Sequence, residues 1–581
     1  MNRRILSSIL CLGGLAGPSW CAETSAATGA TTPDSTQNQT VTATDLDALK
    51  QRIATQQEQI KKLQEAMDEQ QRLLERSLQN LAAKATVATT TTDGTNVSAA
   101  STNTANGPVR LVPALGGSGN QVPQVRNDSS GNPCESDNVS PTYLRLGNTC
   151  VVPIGFMDLT GLWRNVNAGS SIGSNFGSIP LNNAIGAQNS EFRFSPQNSR
   201  IGFRVDGDWK GTHFIGYNEF DFLGTSGATN LTVTNGAFVP RLRLFWVDVR
   251  KGKIEFLGGQ SWSMLTPNRT GISALPGDLF YSQVMDVNYM VGLTWTRQPG
   301  VRVLVHPSNK VTFGLSFENP DQYSGGANGS SAIVYPTALA GLATTQLDNG
   351  GSISTTSTVL STPTVMPDII AKLAFDPNSR FHFEVAGITS QFKIYNNATT
   401  GPGIGKHYST TGAGLQVGLN AAITKGFRLI STNFWDDGEG RYLFGQAPDV
   451  IVRANGALSA VHSAGTVDGF EATIKNTLLF GYYGGVFIGR DVALDADGKT
   501  PIGYGVFKGS QNRAIQEVTF GFNQTMWKNP RYGAINLIGQ YEYATRSLWY
   551  WTTGIAGGKG AKDDTIYMDI RYTLPGSMPK F

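Results

Sequence analysis

Charge is scarce in this chain. Asp, Glu, Lys and Arg together make up 15% of its residues, against roughly 25% in soluble domains. The formal net charge is only +3, too small to point to nucleic acid as a partner. Long apolar runs are missing as well: past the first residues no segment has the roughly 18 uninterrupted apolar positions of a membrane helix. Histidine is rare, and His213, His306, His382, His407 and His462 fall in no helical metal-ligand spacing. No nucleophile elbow is present. Gly403-Ile404-Gly405-Lys406 fails as a phosphate loop, because Thr400 stands where its first glycine belongs and His407 where Ser or Thr belongs. An enzyme, a resident metal and a cofactor are therefore not expected.

What the chain does have is glycine, 68 residues of it, and 10% aromatics. Sixteen short runs of alternating residues fill positions 154–574. The gaps between them alternate between a few residues and a dozen or more, as in an outer-membrane β-barrel with short periplasmic turns and long extracellular loops. The expected fold is all-β: a 16-stranded antiparallel transmembrane barrel over 150–581, preceded by an α-helical coiled coil. Gln298-Pro299-Gly300 looks like a hairpin turn, but splitting there gives an odd strand number. One strand over Val287–Pro307 with a bulge at Pro299 restores parity. The last strand lies near Thr565–Leu574, and either Tyr567–Leu574 or the terminal Phe581 carries the assembly signal.

The N-terminal part reads in three pieces. Arg3 and Arg4 followed by apolar Ile5–Ala16 form a signal peptide over 1–22, with cleavage near Cys21 or Ala22. Residues 44–83 place Leu46, Ile53, Ile60, Met67, Leu74 and Leu81 seven apart, the seam of a self-associating coiled coil. Residues 84–133, rich in Thr, Ala, Ser, Gly and Asn, read as a flexible linker. Cys134 and Cys150 precede the first strand and are expected to form a disulfide, since the periplasm permits one.

Alternation also assigns direction, because one face of each strand meets lipid and the other the lumen. Arg200 and Arg204 point inward beside apolar Ile201 and Phe203. With Leu242, Leu244 and Trp246 toward lipid, Arg241 and Arg243 face the lumen; with Val301, Val303 and Val305 toward lipid, so does Arg302. Glu219 and Asp221 share the inward face of the third strand with His213 and Tyr217. Two readings stay open: the charges pair across the wall and stiffen it, or an arginine ladder opposes carboxylates and selects anions. The third long loop, Ser263 to Asp286, is the expected constriction and offers Arg269, Asp278 and Tyr281.

The layout of signal, coil, linker and barrel resembles the DcaP-like trimeric porins of Gram-negative outer membranes. Locally the resemblance is strongest in Arg241–Val249, in Gly259-Gln260-Ser261-Trp262-Ser263 and in Phe317-Glu318-Asn319-Pro320. It implies a homotrimer, an inward-folded third loop, a periplasmic N-terminal coil and uptake of small anions such as dicarboxylates. The expected partners are further copies of the chain through coil and barrel, outer-membrane lipid, small anionic solutes, and a periplasmic or cell-wall contact of the coil. A phosphate-type anion porin and a plugged barrel with a structural or adhesive role are the alternatives.

Overall fold

The computed structural model describes residues 143–575 except 169, 171, 225–237, 286–289, 327–330, 350–363, 365, 445–446, 507–510, 530 and 551–559, together with Glu58 and Lys61. Met1–Pro108 and Val109–Phe581 form separate units. The signal peptide, the linker, Cys134 and Phe581 lie outside the described residues. So does the coiled coil, except Glu58 and Lys61, which are helical and exposed.

The large sheet has eighteen segments. A short strand Leu144–Leu146 pairs with the start of the first barrel strand, and two segments form one interrupted strand, which leaves sixteen barrel strands. They are β1 (Thr149–Arg164), β2 (Glu191–Ser195 continuing as Arg200–Trp209), β3 (Thr212–Gly224), β4 (Val239–Lys251), β5 (Ile254–Trp262), β6 (Arg297–Ser308), β7 (Val311–Glu318) and β8 (Asp368–Asn378). The second half comprises β9 (Phe381–Tyr395), β10 (His407–Thr424), β11 (Phe427–Asp437), β12 (His462–Ile474), β13 (Thr477–Ile488), β14 (Asn512–Asn529), β15 (Gly533–Leu548) and β16 (Ala561–Thr573). Each pairs antiparallel with the next, and β1 pairs with β16 from Phe156↔Thr573 to Arg164↔Thr565. Closure leaves no open edge to aggregate.

Turns of two or three residues join the strands at one end. Between β2 and β3, Lys210 and Gly211 both take positive φ, 48° and 74°, as a turn matched to strand twist requires. The outer surface carries exposed Val301, Val303 and Val305 on β6, whereas the intervening Arg302 is 4% exposed. That alternation is the surface of a barrel set in lipid with a polar interior.

Three local expectations need correction. β6 begins at Arg297, so the described residues Met290–Thr296 belong to the loop before it. Its ladder to β5 runs unbroken through Gln260↔Pro299 and Gly259↔Gly300, so Pro299 makes no bulge there. The pairing with β7 starts only at Gly300↔Glu318, which leaves the missing Pro299 N–H without a ladder partner to lose. On β4 the parity shifts: Glu219 pairs with Leu244 while Phe220 pairs with Leu242, leaving Arg243 as the extra residue of a bulge. Leu244 and Trp246 are consequently buried inside, while Leu242, Phe245 and Val247 face out. Of the three β4 residues expected toward lipid, Leu242 alone keeps its place.

Candidate functional site

The third loop, residues 263–296, folds into the barrel, and the wall holds it by its backbone. Its N–H groups donate to side chains all around the interior: Met264 to Glu318 at 2.7 Å, Asn268 to Glu384 at 3.1 Å, and Gly271 to Asp376 at 3.0 Å. On the far side, Gln283 donates to the Tyr482 hydroxyl at 3.2 Å, Val291 to Glu517 at 3.0 Å, and Met285 to the Gln540 carbonyl. These acceptors sit on β7, β8, β9, β13, β14 and β15, so the loop crosses the lumen. Buried hydrogen bonds to charged groups contribute about 1.5–3 kcal/mol each. The loop's apolar side chains pack on the wall as well, Trp295 against Trp262 with ring centroids 3.9 Å apart.

Glycine lets the loop approach that wall. A Cβ on Gly484 of β13 would come within 2.2 Å of the Val291 carbonyl, and one on Gly465 of β12 within 2.5 Å of the Gly292 carbonyl. Gly292 itself has φ +87°, a conformation open to glycine and costly for other residues.

Across from this docking site, β3 and β4 carry a compact charge cluster. Arg243 donates through Nε to Glu219 at 2.8 Å and through Nη1 to Asp221 at 2.6 Å. Arg241 grips Asp221 with two bonds, 3.0 and 2.7 Å. Arg200 stands 3.7 Å from Glu219. Three guanidiniums thus share two carboxylates, and these carboxylates stand beside the arginines on an adjacent strand. Exposure separates their roles. The Arg243 side chain is fully buried, while 36% of the Arg241 side chain is open to solvent.

The remaining sequence candidates are dispersed. Arg204 chelates Asp206. Arg302 donates to Trp262 O at 2.8 Å and to the Ser261 hydroxyl. Arg269, on the loop, spans to Glu471 on β12 with bonds of 2.9 and 2.7 Å. Burial works against the Arg269 charge, and Glu471 outweighs it, holding the guanidinium above its usual pKa. Asp278 is buried within the loop, which pushes its carboxyl up to about 6 against a hydrogen bond from Ser273. Burial likewise raises the Tyr281 phenol. Cys150 is disulfide-bonded.

Several interior groups were not singled out from the sequence. Arg571 on β16 bonds Asp158 at 2.8 Å. With Arg200 it brackets the Phe156 ring, the two guanidinium carbons lying 4.1 and 5.2 Å from its centroid. The alternation Tyr567, Asp569, Arg571 was the signal that could have found it. Lys372 pairs with Glu384 at 2.9 Å, and His382 bridges Glu384 and Asp376 at 3.1 and 2.9 Å. Arg441 and Asp449, 2.9 Å apart, lie in a loop where no period exists to read.

No protein-family model and no curated protein sequence matches the chain. Solved structures do. The outer membrane channel DcaP of Acinetobacter baumannii aligns with a TM-score of 0.51 at 16% identity, over 73% of this chain and 97% of that one. An anion-selective porin from Comamonas acidovorans aligns at 0.40 and 12% identity, over 73% and 100%. OmpT of Vibrio cholerae aligns at 0.40 and 10% identity, over 74% and 100%. The chain therefore has the sixteen-stranded porin barrel fold, shared with the DcaP channel.

Proposed function

We propose that the protein is a homotrimeric outer-membrane porin through which small anionic solutes such as dicarboxylates diffuse. The observation that carries this reading is the third loop, stitched across the lumen opposite a cluster in which three arginines share two carboxylates. The surplus positive charge sits at the constriction, where a low-dielectric wall focuses it. Arg241 is the member open to solute, and a planar fork suits a carboxylate. Arg200 and Arg243 brace the wall and supply field. Inorganic phosphate would be drawn by the same charges. In this reading the 44–83 coil lies in the periplasm, joins three chains and touches periplasmic or cell-wall material, and Cys134 closes the disulfide to Cys150.

A plugged barrel with a structural or adhesive role has one observation in its favour. At the long-loop end a hairpin of Val450–Val452 with Leu458–Ala460 and another of Asp491–Leu494 with Pro501–Tyr504 share one apolar core with Phe176 and Leu339. Planar-bilayer recording separates the two. The porin reading expects conductance in steps of three and block by an added dicarboxylate. A protein that inserts without conducting sinks it.

A further inference from the structure

A second charge cluster lies away from the constriction, at the long-loop end. Arg441, in the helical turn Gly440–Tyr442, is buried among Asp368 of β8, Asp436 of β11, Glu439 and Asp449. Its guanidinium donates to Asp449 at 2.9 Å and to Asp368, and stands 3.6 Å from Glu439. One guanidinium thus faces four buried carboxylates. The flanking strands add neutral groups: Ser390 of β9 donates to Glu439 at 2.9 Å and Ser463 of β12 to Asp436 at 2.6 Å. Gly412 of β10 leaves room for Glu439, since a Cβ there would lie 2.9 Å from its Oε1. One oxygen each of Asp368 and Glu439 meets no hydrogen-bond donor among the described residues, which disfavours an ionised group.

The neighbours bring more negative charge. Asp321, in the loop after β7, acts on Asp449 and lies beside Asp348. Glu318 of β7 acts on Tyr442. Asp437 of β11 pairs with exposed His462 of β12 at 3.2 Å. Burial pushes the Asp449 carboxyl up to about 7 and holds Glu439 well above the usual carboxylate range, against the pull of Arg441.

The same turn grips the third loop. Tyr442 donates its hydroxyl to Asp368 at 2.8 Å, and its carbonyl accepts the N–H of Trp295 at 3.0 Å. Trp295 is the third-loop residue stacked on Trp262. Leu265 and Val291 of that loop share one apolar core with Tyr442, Val450 and Ile451.

We infer that Arg441, Glu439 and Asp449 are positioning residues for the third loop, and that protons on the two carboxylates set how firmly that loop is docked. The inference rests on the channel reading only for its effect on solute flow. With both carboxylates neutral, little charge surrounds Arg441 beyond what it balances, and the turn holds Trp295. As they ionise, like charges crowd a buried site, and relief comes when Tyr442 and Trp295 part. The docked form holds the extra Asp449 proton between 3.8, the ordinary value, and about 7. Across that window the undocked fraction grows about tenfold per pH unit, and Glu439 carries the trend higher.

The test is hydrogen exchange of Met290–Thr296 in the full chain between about pH 5 and 7, read as protection relative to the unfolded rate. Asp278→Asn is present throughout, so that the third loop's own buried carboxyl drops out of the profile. Protection of the Trp295 amide is expected to fall about tenfold per pH unit. Asp449→Asn with Glu439→Gln is expected to remove that fall while keeping the heat-dependent mobility of a folded barrel. Protection that is constant with pH, or that falls as steeply in the double variant, overturns the inference. The profile without the double substitution is decisive by itself if that variant does not fold. Bilayer recordings over the same range read the channel separately, with steady current at low pH giving way to frequent transitions. Falling protection in a protein that passes no current supports the positioning role and sinks the porin reading. Steady current with constant protection does the reverse.

Discussion

Arg269 and Glu471 are joined by two hydrogen bonds of 2.9 and 2.7 Å, and 202 residues of chain separate them. The pair ties the inward loop to the wall where both side chains are buried. Removing one partner leaves a buried charge alone, which costs about 3–5 kcal/mol. Glu471→Gln is therefore expected to loosen the loop and turn steady conductance into frequent transitions between levels. Bilayer recordings check this, and a quiet trace identical to the unaltered protein would refute it.

Gly484 and Val291 make a contact that depends on a missing side chain. Gly484→Val puts a Cβ within 2.2 Å of the Val291 carbonyl, so the loop has to lift from β13. Single-channel conductance is expected to change markedly while the barrel still folds. An unchanged conductance would mean the loop does not set the constriction.

Asp278 gives the loop a pH dependence. Burial raises its carboxyl from 3.8 to about 6, so the folded loop favours the neutral form. Between about pH 4 and 6 the folded state binds the extra proton, and stability falls as pH rises through that window. A shift of roughly two units corresponds to about 3 kcal/mol. The unfolding midpoint is expected to be higher at pH 4.5 than at pH 7, and Asp278→Asn is expected to flatten that difference. A profile unaffected by the substitution would place the dependence elsewhere.

How much of this was legible depends on whether a periodic face bore it. Alternation placed Arg200, Arg302, Glu219 and Asp221 on the inner face, because a two-residue period has two outcomes and lipid chooses one. It missed the bulge at Arg243, since Arg241-Leu242-Arg243-Leu244 alternates perfectly and only the pairing with β3 shows that a residue is extra. Val287–Thr296 read as strand because a loop buried in a lumen is as apolar as a strand facing lipid: Val291, Leu293 and Trp295 are all buried. Of the two arrangements the charges left open, Glu219 and Asp221 adopt pairing along the wall with arginines of the adjacent strands. Alternation tells which face a side chain is on and nothing about how its partners are arranged around the barrel.

Arg241 and Arg243 bond the same Asp221 and are expected to behave differently. Arg243 is buried against Glu219 and Asp221, so Arg243→Gln takes a buried hydrogen bond from each carboxylate and lowers the thermal midpoint, at about 1.5–3 kcal/mol per bond lost. Arg241 is over a third exposed, so Arg241→Gln is expected to leave the midpoint within a degree or two. Thermal scans of both variants decide this. Equal destabilisation would make Arg241 a wall brace like its neighbour.

The most direct measurement is the reversal potential in a planar bilayer under a salt gradient, for the unaltered protein and for Arg241→Gln. An anion-selective potential is expected, moving toward zero, or past it, in the variant. A potential that is unselective or cation-selective from the start, or one that Arg241→Gln leaves in place, would contradict it.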